Sequence, residues 1–278
     1  MRRLTEEDLD FALELTNREG WGYSRPELER VLRLSRLGSY VWDEGGSSGF
    51  ISSLHYGRTA VIGHLVVSEE SRGRKVGRKL LEKALDDFDG AGFGSVVVFS
   101  TPAAERLYHS CGFERTRQLV SYGFMVEGRE ASSPCERLLP EDLGEVCGID
   151  TRIFGDDRSP FIEGLFREYP DLCYKVRRGD RIAGYCLGRR NPLGGDLGPL
   201  ASLSPSPEDA LALVDTFLGN FVGRRVDLGF FDDVPYLRSF MGSYASVKRI
   251  PVRLMVRGEN RYSAEEAGAL GIAGFELG

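Results

Sequence analysis

Apolar residues recur along the chain with two periods, and the switches between them outline a protein of mixed α/β type. Thr5 with Asp8 forms a capping-box pattern that opens a helix running to about Arg18. Ser24, Pro26 and Glu27 open a second helix, with Leu28, Val31, Leu32 and Ser35 on one face. A hairpin follows, from Ser39 to Trp42 and from Phe50 to Tyr56 around a Gly/Ser turn, and a third strand runs from Ala60 to Val67. Val76, Leu80, Leu81, Ala84, Leu85 and Phe88 then make a stripe of helical period, ended by the segment Gly90 to Gly94. A buried strand from Ser95 to Phe99, a helix opened by Pro102 and stopped before Gly112, and a strand from about Arg117 to Met125 complete the order α-α-β-β-β-α-β-α-β.

The pattern then starts again. Arg3-Leu4-Thr5-Glu6-Glu7-Asp8-Leu9 returns 134 residues later as Arg137-Leu138-Leu139-Pro140-Glu141-Asp142-Leu143. Gly49-Phe50, after its turn, is matched by Gly184-Tyr185 after Arg178-Gly179-Asp180. Two matches at nearly one offset indicate a duplicated unit. The polar stretch from Glu127 to Pro134 reads as a linker, which predicts domains over 1–128 and 135–278 with a boundary near Pro134.

Composition narrows the function classes. A chain of 278 residues with 41% hydrophobic and 28% charged residues has the profile of a soluble globular protein of about two domains. The net charge of −6 supplies no overall basic field for nucleic acid or an anionic membrane. No apolar run approaches the roughly 20 residues of a membrane span, and the acidic start has no secretion-signal core. Five scattered cysteines and three histidines favour neither disulfides nor a metal centre, so the expected setting is the reducing cytoplasm.

One junction stands out chemically. Where the third strand meets the long helix lies Ser68-Glu69-Glu70-Ser71-Arg72-Gly73-Arg74-Lys75-Val76-Gly77-Arg78. A helix N-terminus offers unpaired N–H groups and partial positive charge to a phosphate. Gly73 and Gly77 permit close approach of the backbone, and Arg72, Arg74, Lys75 and Arg78 add charge. The same run also suits a solvated basic turn or a nucleic-acid patch. Downstream comes Thr101-Pro102-Ala103-Ala104-Glu105-Arg106-Leu107-Tyr108-His109-Ser110-Cys111-Gly112-Phe113.

Together these two segments resemble the GCN5-related N-acetyltransferase (GNAT) superfamily. Arg72 and Gly77 match its Arg/Gln-x-x-Gly-x-Gly/Ala loop, with Lys75 in place of the usual glycine, and Leu107, Tyr108, Gly112 and Phe113 match its Leu-Tyr-x-x-x-Gly-Phe element. The resemblance implies two tandem GNAT folds, each a mixed, mostly antiparallel sheet flanked by helices. It implies acetyl-CoA held in a V-shaped opening beside Val67, paired to Leu65, Val66 and Val67. Its phosphates would lie on Arg72, Gly73, Arg74, Lys75, Val76, Gly77 and Arg78, with Thr101 and Ala104 nearby. A backbone N–H would polarise the thioester oxygen. A primary amine would attack directly, and Tyr108 would serve the leaving thiolate as acid. His64 is the best-placed titratable candidate for the base, with a water-mediated route as the alternative, whereas His109 neighbours Tyr108 but points elsewhere on the helix; Trp21 and Tyr23 would shape the acceptor pocket. The acceptor would be a small-molecule or peptide amine; no nucleic acid or membrane is implied, and the state would be monomer or homodimer. A non-catalytic acyl-CoA sensor would keep the same loop.

The second unit departs from the first. After the counterpart strand from Asp196 to Leu203 comes Ser204-Pro205-Ser206-Pro207-Glu208-Asp209, acidic and proline-bearing, and Arg238 falls where Tyr108 stands. It resembles the degenerate C-terminal domain of a tandem family whose tail here reads Ile272-Ala273-Gly274-Phe275-Glu276-Leu277-Gly278. The expected roles of this unit are to wall the substrate cleft and stiffen the first domain.

Overall fold

The computed structural model describes residues 1–35, 37–128, 135–204, 206–244, 248–261 and 268–277; residues 129–134 of the linker with its boundary at Pro134, as well as Pro205 and Gly278, lie outside them. In chain order the elements are β1 (Arg2–Arg3), α1 (Leu9–Arg18), α2 (Arg25–Leu34), β2 (Tyr40–Asp43), β3 (Ser47–Tyr56), β4 (Thr59–Val67), α3 (Val76–Ala91), β5 (Ser95–Ser100), α4 (Glu105–His109) and β6 (Glu114–Met125). There follow β7 (Glu136–Arg137), α5 (Leu143–Phe154), α6 (Ser159–Glu168), β8 (Tyr174–Arg178), β9 (Arg181–Asn191), β10 (Gly194–Ser202), α7 (Pro207–Leu218), β11 (Arg225–Phe231), α8 (Pro235–Met241), β12 (Lys248–Gly258) and β13 (Ala269–Gly271).

The chain forms two compact units, and they divide it differently from the sequence repeat. One comprises Met1–Thr116, Arg253–Asn260 and Phe275–Gly278, the other Arg117–Val252 and Arg261–Gly274. The first has strand order β1-β2-β3-β4-β5-β12, antiparallel except for β4 with β5. The second has the order β6-β11-β13-β10-β9-β8-β7, antiparallel except for an additional parallel pairing of β10 with β11. A long strand from each sequence half therefore completes the other unit. β6 pairs with β11 from Leu119↔Phe231 to Met125↔Arg225, and residues 253–258 of β12 pair with β5. Hydrophobic periodicity marks both strands but carries nothing about which neighbour each will choose.

In the first unit, the predicted stripe of α3 is buried on the sheet, with Leu80, Leu81, Ala84 and Phe88 fully enclosed. Each larger side chain contributes roughly 1.5–3 kcal/mol on burial. On the other face, α1 and α2 cover a cluster of Leu9, Ala12, Leu15, Leu28, Phe50 and Val66. The predicted capping box of Thr5 with Asp8 forms, and at the predicted second helix start Ser24 and Glu27 make another. The repeat has a local meaning too: Asp8 and Asp142 both close a single 3₁₀ turn by accepting a backbone N–H three residues back. In the second unit the core contains an ion pair, Asp150 with Arg158, at 2.7 and 2.9 Å, to which the Tyr185 hydroxyl donates at 2.6 Å.

One helix start differs from expectation. Pro102 does not open α4. Its fixed φ suits a turn, closed by Ala104 N–H donating to Thr101 O at 3.1 Å, and the helix begins at Glu105. Lys75 caps α3 in the left-handed region at φ 63°, alone among the described non-glycine residues. That conformation costs a β-carbon residue about 1–2 kcal/mol, part of which a glycine would lose again to unfolded-chain entropy. Lys75→Gly is therefore expected to raise the unfolding free energy by about 0.5–1 kcal/mol in a urea titration. A fall instead would show that the lysine side chain stabilises the loop.

Candidate active site

A bulge shapes the edge on which the site is built. Ser52 pairs with His64 and Ser53 with Ile62, so Gly63 is the extra residue in β4. Bulges bend the strand that carries them. The parallel pairing of β4 with β5 runs from Thr59↔Ser95 to Ile62↔Val98, whereas β4 continues to Val67. Beyond the bulge, Leu65, Val66 and Val67 pair with Ile51, Phe50 and Gly49 of β3. Their opposite backbone edge faces the splay, the place where an extended ligand could add as a strand.

At the end of that edge the chain turns into α3. Arg72 pins the turn, its Nε donating to Val67 O at 3.0 Å and its guanidinium to Glu19. Arg78 is likewise committed, donating to Ser110 Oγ at 2.6 Å. Arg74 and Lys75 are exposed. Gly73, at φ 77°, has open space where a β-carbon would stand, and one on Gly77 would come no nearer than 3.5 Å to Val67 Cγ2. The residues present fit an anion: Lys75 brings no capping acceptor, so the N–H groups of the first helical turn point into this open cradle with two cations beside it.

Tyr108 lies on α4, buried, with its ring edge-on to Phe113 at 5.5 Å. Burial pushes the phenol pKa up, with Cys111 adding to the effect, so Tyr108 remains protonated and can donate. Thr101 and Ala104 bracket the turn that leads into α4; Thr101 is exposed and Ala104 packs against the core around α3.

The structure brings His64, Trp21 and Tyr23 together. The His64 ring is buried, 4.8 Å from Tyr23 and 6.0 Å from Trp21, with Phe50 at 5.7 Å. Its Nδ1 lies 2.7 Å from Ser52 Oγ, which also accepts from the His64 backbone N–H at 3.1 Å. His109 sits at the end of α4 and is exposed.

Two residues that contact this cluster escape sequence reasoning. Glu276, in the C-terminal tail, is 2% exposed and accepts a hydrogen bond from the Tyr23 hydroxyl at 2.8 Å. The only signal for it is a lone carboxylate inside the otherwise apolar run Ile272 to Leu277. Ser52 is the other; it is one hydroxyl in a strand of several, and only the bulge register puts it opposite His64.

The second unit has a splay of the same kind but fills it with its own chain. β10 and β11 pair in parallel from Gly194↔Arg225 to Leu197↔Leu228. Beyond that point β13 enters, with Gly271 opposite both Leu200 and Phe230. A β-carbon on Gly198 would lie 1.8 Å from Ile272 O, so the fit admits nothing more. The seat for an added strand is taken by residues 269–272.

Among the described residues, no group of three or more His, Cys, Asp or Glu could hold a metal ion, and no helix is long and apolar enough to cross a membrane. Comparison with known proteins finds acetyltransferase (GNAT) domain models matching residues 36–115 and 146–268. The chain is 22% identical over 231 residues to the uncharacterized N-acetyltransferase YitH of Bacillus subtilis, covering 81% of this chain and 80% of the relative. A Pyrococcus horikoshii protein classed provisionally as an acetyltransferase superposes with TM-score 0.80 at 17% identity, over the whole of this chain and 95% of that one. A GCN5-related N-acetyltransferase from Sphaerobacter thermophilus gives TM-score 0.68 at 16% identity, over 92% and 94%.

Proposed function

Since the chain belongs to the GNAT acetyltransferase superfamily and carries two of its domains in tandem, we propose that its first unit transfers the acetyl group of acetyl-CoA to a primary amine by direct attack in a ternary complex. The observation that carries this reading is the meeting of a splayed strand edge at Leu65–Val67 with an open helix N-terminus at Lys75–Gly77. One accepts an extended amide-bearing chain, the other a pyrophosphate. When bound, acetyl-CoA supplies the activated acyl carbon and a thiol leaving group.

The chain's own residues then have simple tasks. A backbone N–H of the Leu65–Val67 segment donates to the carbonyl oxygen as negative charge develops there. His64 accepts the proton that the alkyl ammonium, of ordinary pKa near 10, must lose before it attacks. Ser52 orients the imidazole through Nδ1. Tyr108, kept protonated by its burial, donates a hydrogen bond to the departing sulfur, whose unperturbed pKa of about 8.5 requires only modest help.

Two linked measurements test the reading. Calorimetric titration of the full chain with acetyl-CoA is expected to show one site. Thiol release over a panel of primary amines is expected to fall roughly 10- to 100-fold in kcat for Tyr108→Phe, with the acetyl-CoA affinity unchanged. No binding would overturn the proposal. Binding without turnover on any amine would make the protein an acyl-CoA sensor.

A further inference from the structure

We propose that Glu19 and Arg72 form a charge latch between the cofactor turn and the loop that bears Trp21 and Tyr23, and that a pyrophosphate on the turn opens the latch by taking the guanidinium from Glu19. This deepens the acetyltransferase reading and rests on it for the ligand. Arg72 precedes Gly73 in the turn and makes two hydrogen bonds of different kinds. Its Nε donates to Val67 O at 3.0 Å, which fixes the side chain to the end of β4. Its Nη2 donates to the Glu19 carboxylate, with Glu69 further off at 3.9 Å. The guanidinium can therefore keep Val67 while exchanging Glu19 for another anion. The pair is open to water, with side-chain exposures of 47% for Arg72 and 30% for Glu19. Ion pairs of such exposure are screened and weak, whereas a pyrophosphate offers the guanidinium fork more charge and paired oxygens.

Glu19 is also the residue at which the loop leaves α1. It caps the helix, and Gly20 follows in the left-handed region at φ 76°, with open space where a β-carbon would stand. The loop is hydrogen-bonded to the last turn of α1. Gly20 N–H donates to Asn17 O at 3.0 Å, Trp21 N–H to Thr16 O at 3.2 Å, and Asn17 Nδ2 to Tyr23 O at 3.4 Å. A second left-handed glycine, Gly22 at φ 71°, separates the two aromatic residues. Helix ends fray more readily than helix middles, so this turn gains from a tie outside it, and Arg72 supplies one. Once Glu19 is released, the end of α1 loosens, and Trp21, already 43% exposed, becomes more accessible to water. Linkage makes the coupling mutual: the free energy with which Glu19 holds the loop is what the cofactor must overcome. Glu19 is thus a positioning residue for the loop and a competitor of the cofactor, and its effect is bounded by the strength of an exposed ion pair.

Titration of the full chain with acetyl-CoA, read by acrylamide quenching of tryptophan fluorescence, tests the latch. The chain has two tryptophans, and Trp42 is buried, so quenching reports chiefly on Trp21. Saturating acetyl-CoA is expected to increase the quenching, and Trp21→Phe to remove the increase. Glu19→Gln is expected to show the raised quenching without ligand and to bind acetyl-CoA about three- to fivefold tighter by calorimetry. In an Arg72→Gln background, where the amide keeps a donor for Val67 O, the same change at Glu19 is expected to leave the affinity unchanged. Weaker binding in Glu19→Gln makes the pair a fixed strut and overturns the latch. An equal gain with and without Arg72, or acetyl-CoA binding with unaltered quenching, overturns it too, and each of these results leaves the acetyltransferase reading standing. If acetyl-CoA does not bind, that reading falls, and inorganic pyrophosphate titrated in the same way decides the latch alone.

Discussion

Gly77→Asp is expected to abolish acetyl-CoA binding while leaving the protein as stable as before or slightly more so. Gly77 occupies the first turn of α3, where a β-carbon meets only Val67 Cγ2 at 3.5 Å and Leu107 Cδ2 at 4.0 Å. An aspartate there replaces a helix-weakening glycine and complements the helix dipole, together worth roughly 0.5–1 kcal/mol. The same carboxylate stands where a phosphate would lie. Two like charges about 4 Å apart near a protein surface repel by about 4 kcal/mol, more than a hundredfold in affinity. Calorimetry with acetyl-CoA and a thermal melt on one sample would read both effects. Retained binding would remove the anion seat from α3. The charge-removing variant Arg72→Ala is less informative, because Arg72 also holds Val67 and Glu19 in place.

The largest effect on stability is expected in the second unit, from Asp150→Ala. Asp150 and Arg158 are 1% and 2% exposed, and the guanidinium also lies 4.4 Å from the Phe154 ring centroid. Removing the carboxylate takes from the buried guanidinium its bidentate partner and from the Tyr185 hydroxyl its acceptor. A buried pair broken from one side costs about 3–5 kcal/mol, which is a large share of a domain's stability. The double variant Asp150→Leu/Arg158→Met should recover most of the loss, since well-packed apolar residues of similar size can replace such a pair. Urea denaturation of the single and double variants checks both statements. If the double variant is as unstable as the single, the pair stabilises the unit through something other than mutual neutralisation.

What the sequence made legible was local. The stripe of α3, the capping boxes at Thr5 and Ser24, and the cationic turn ahead of Val76 are all written within a few residues of one another, and the structure holds them in those places. The departure at Lys75 was legible as well: a position where the family places glycine proves to need φ 63°. What stayed hidden depends on register and on distant partners. Nothing near Ser52 announces that the bulge at Gly63 will set it opposite His64. The three-residue strand β13 is too short for any periodicity, yet it fills the splay of the second unit. Glu276 reaches Tyr23 only because the tail folds with the first unit and not with the half of the sequence that encodes it.

The exchange of β6 and of residues 253–258 of β12 bears on what a truncation of this chain would leave behind. A deletion that discarded the second half of the gene would not release a working single-domain enzyme. It would remove the strand that borders β5 from Ser95 to Ser100, leaving a bare β edge of the kind that templates aggregation. It would also strip Glu276 from Tyr23. Each unit thus needs residues from both halves of the sequence, so neither half can be cut away without leaving the other short of a bordering strand.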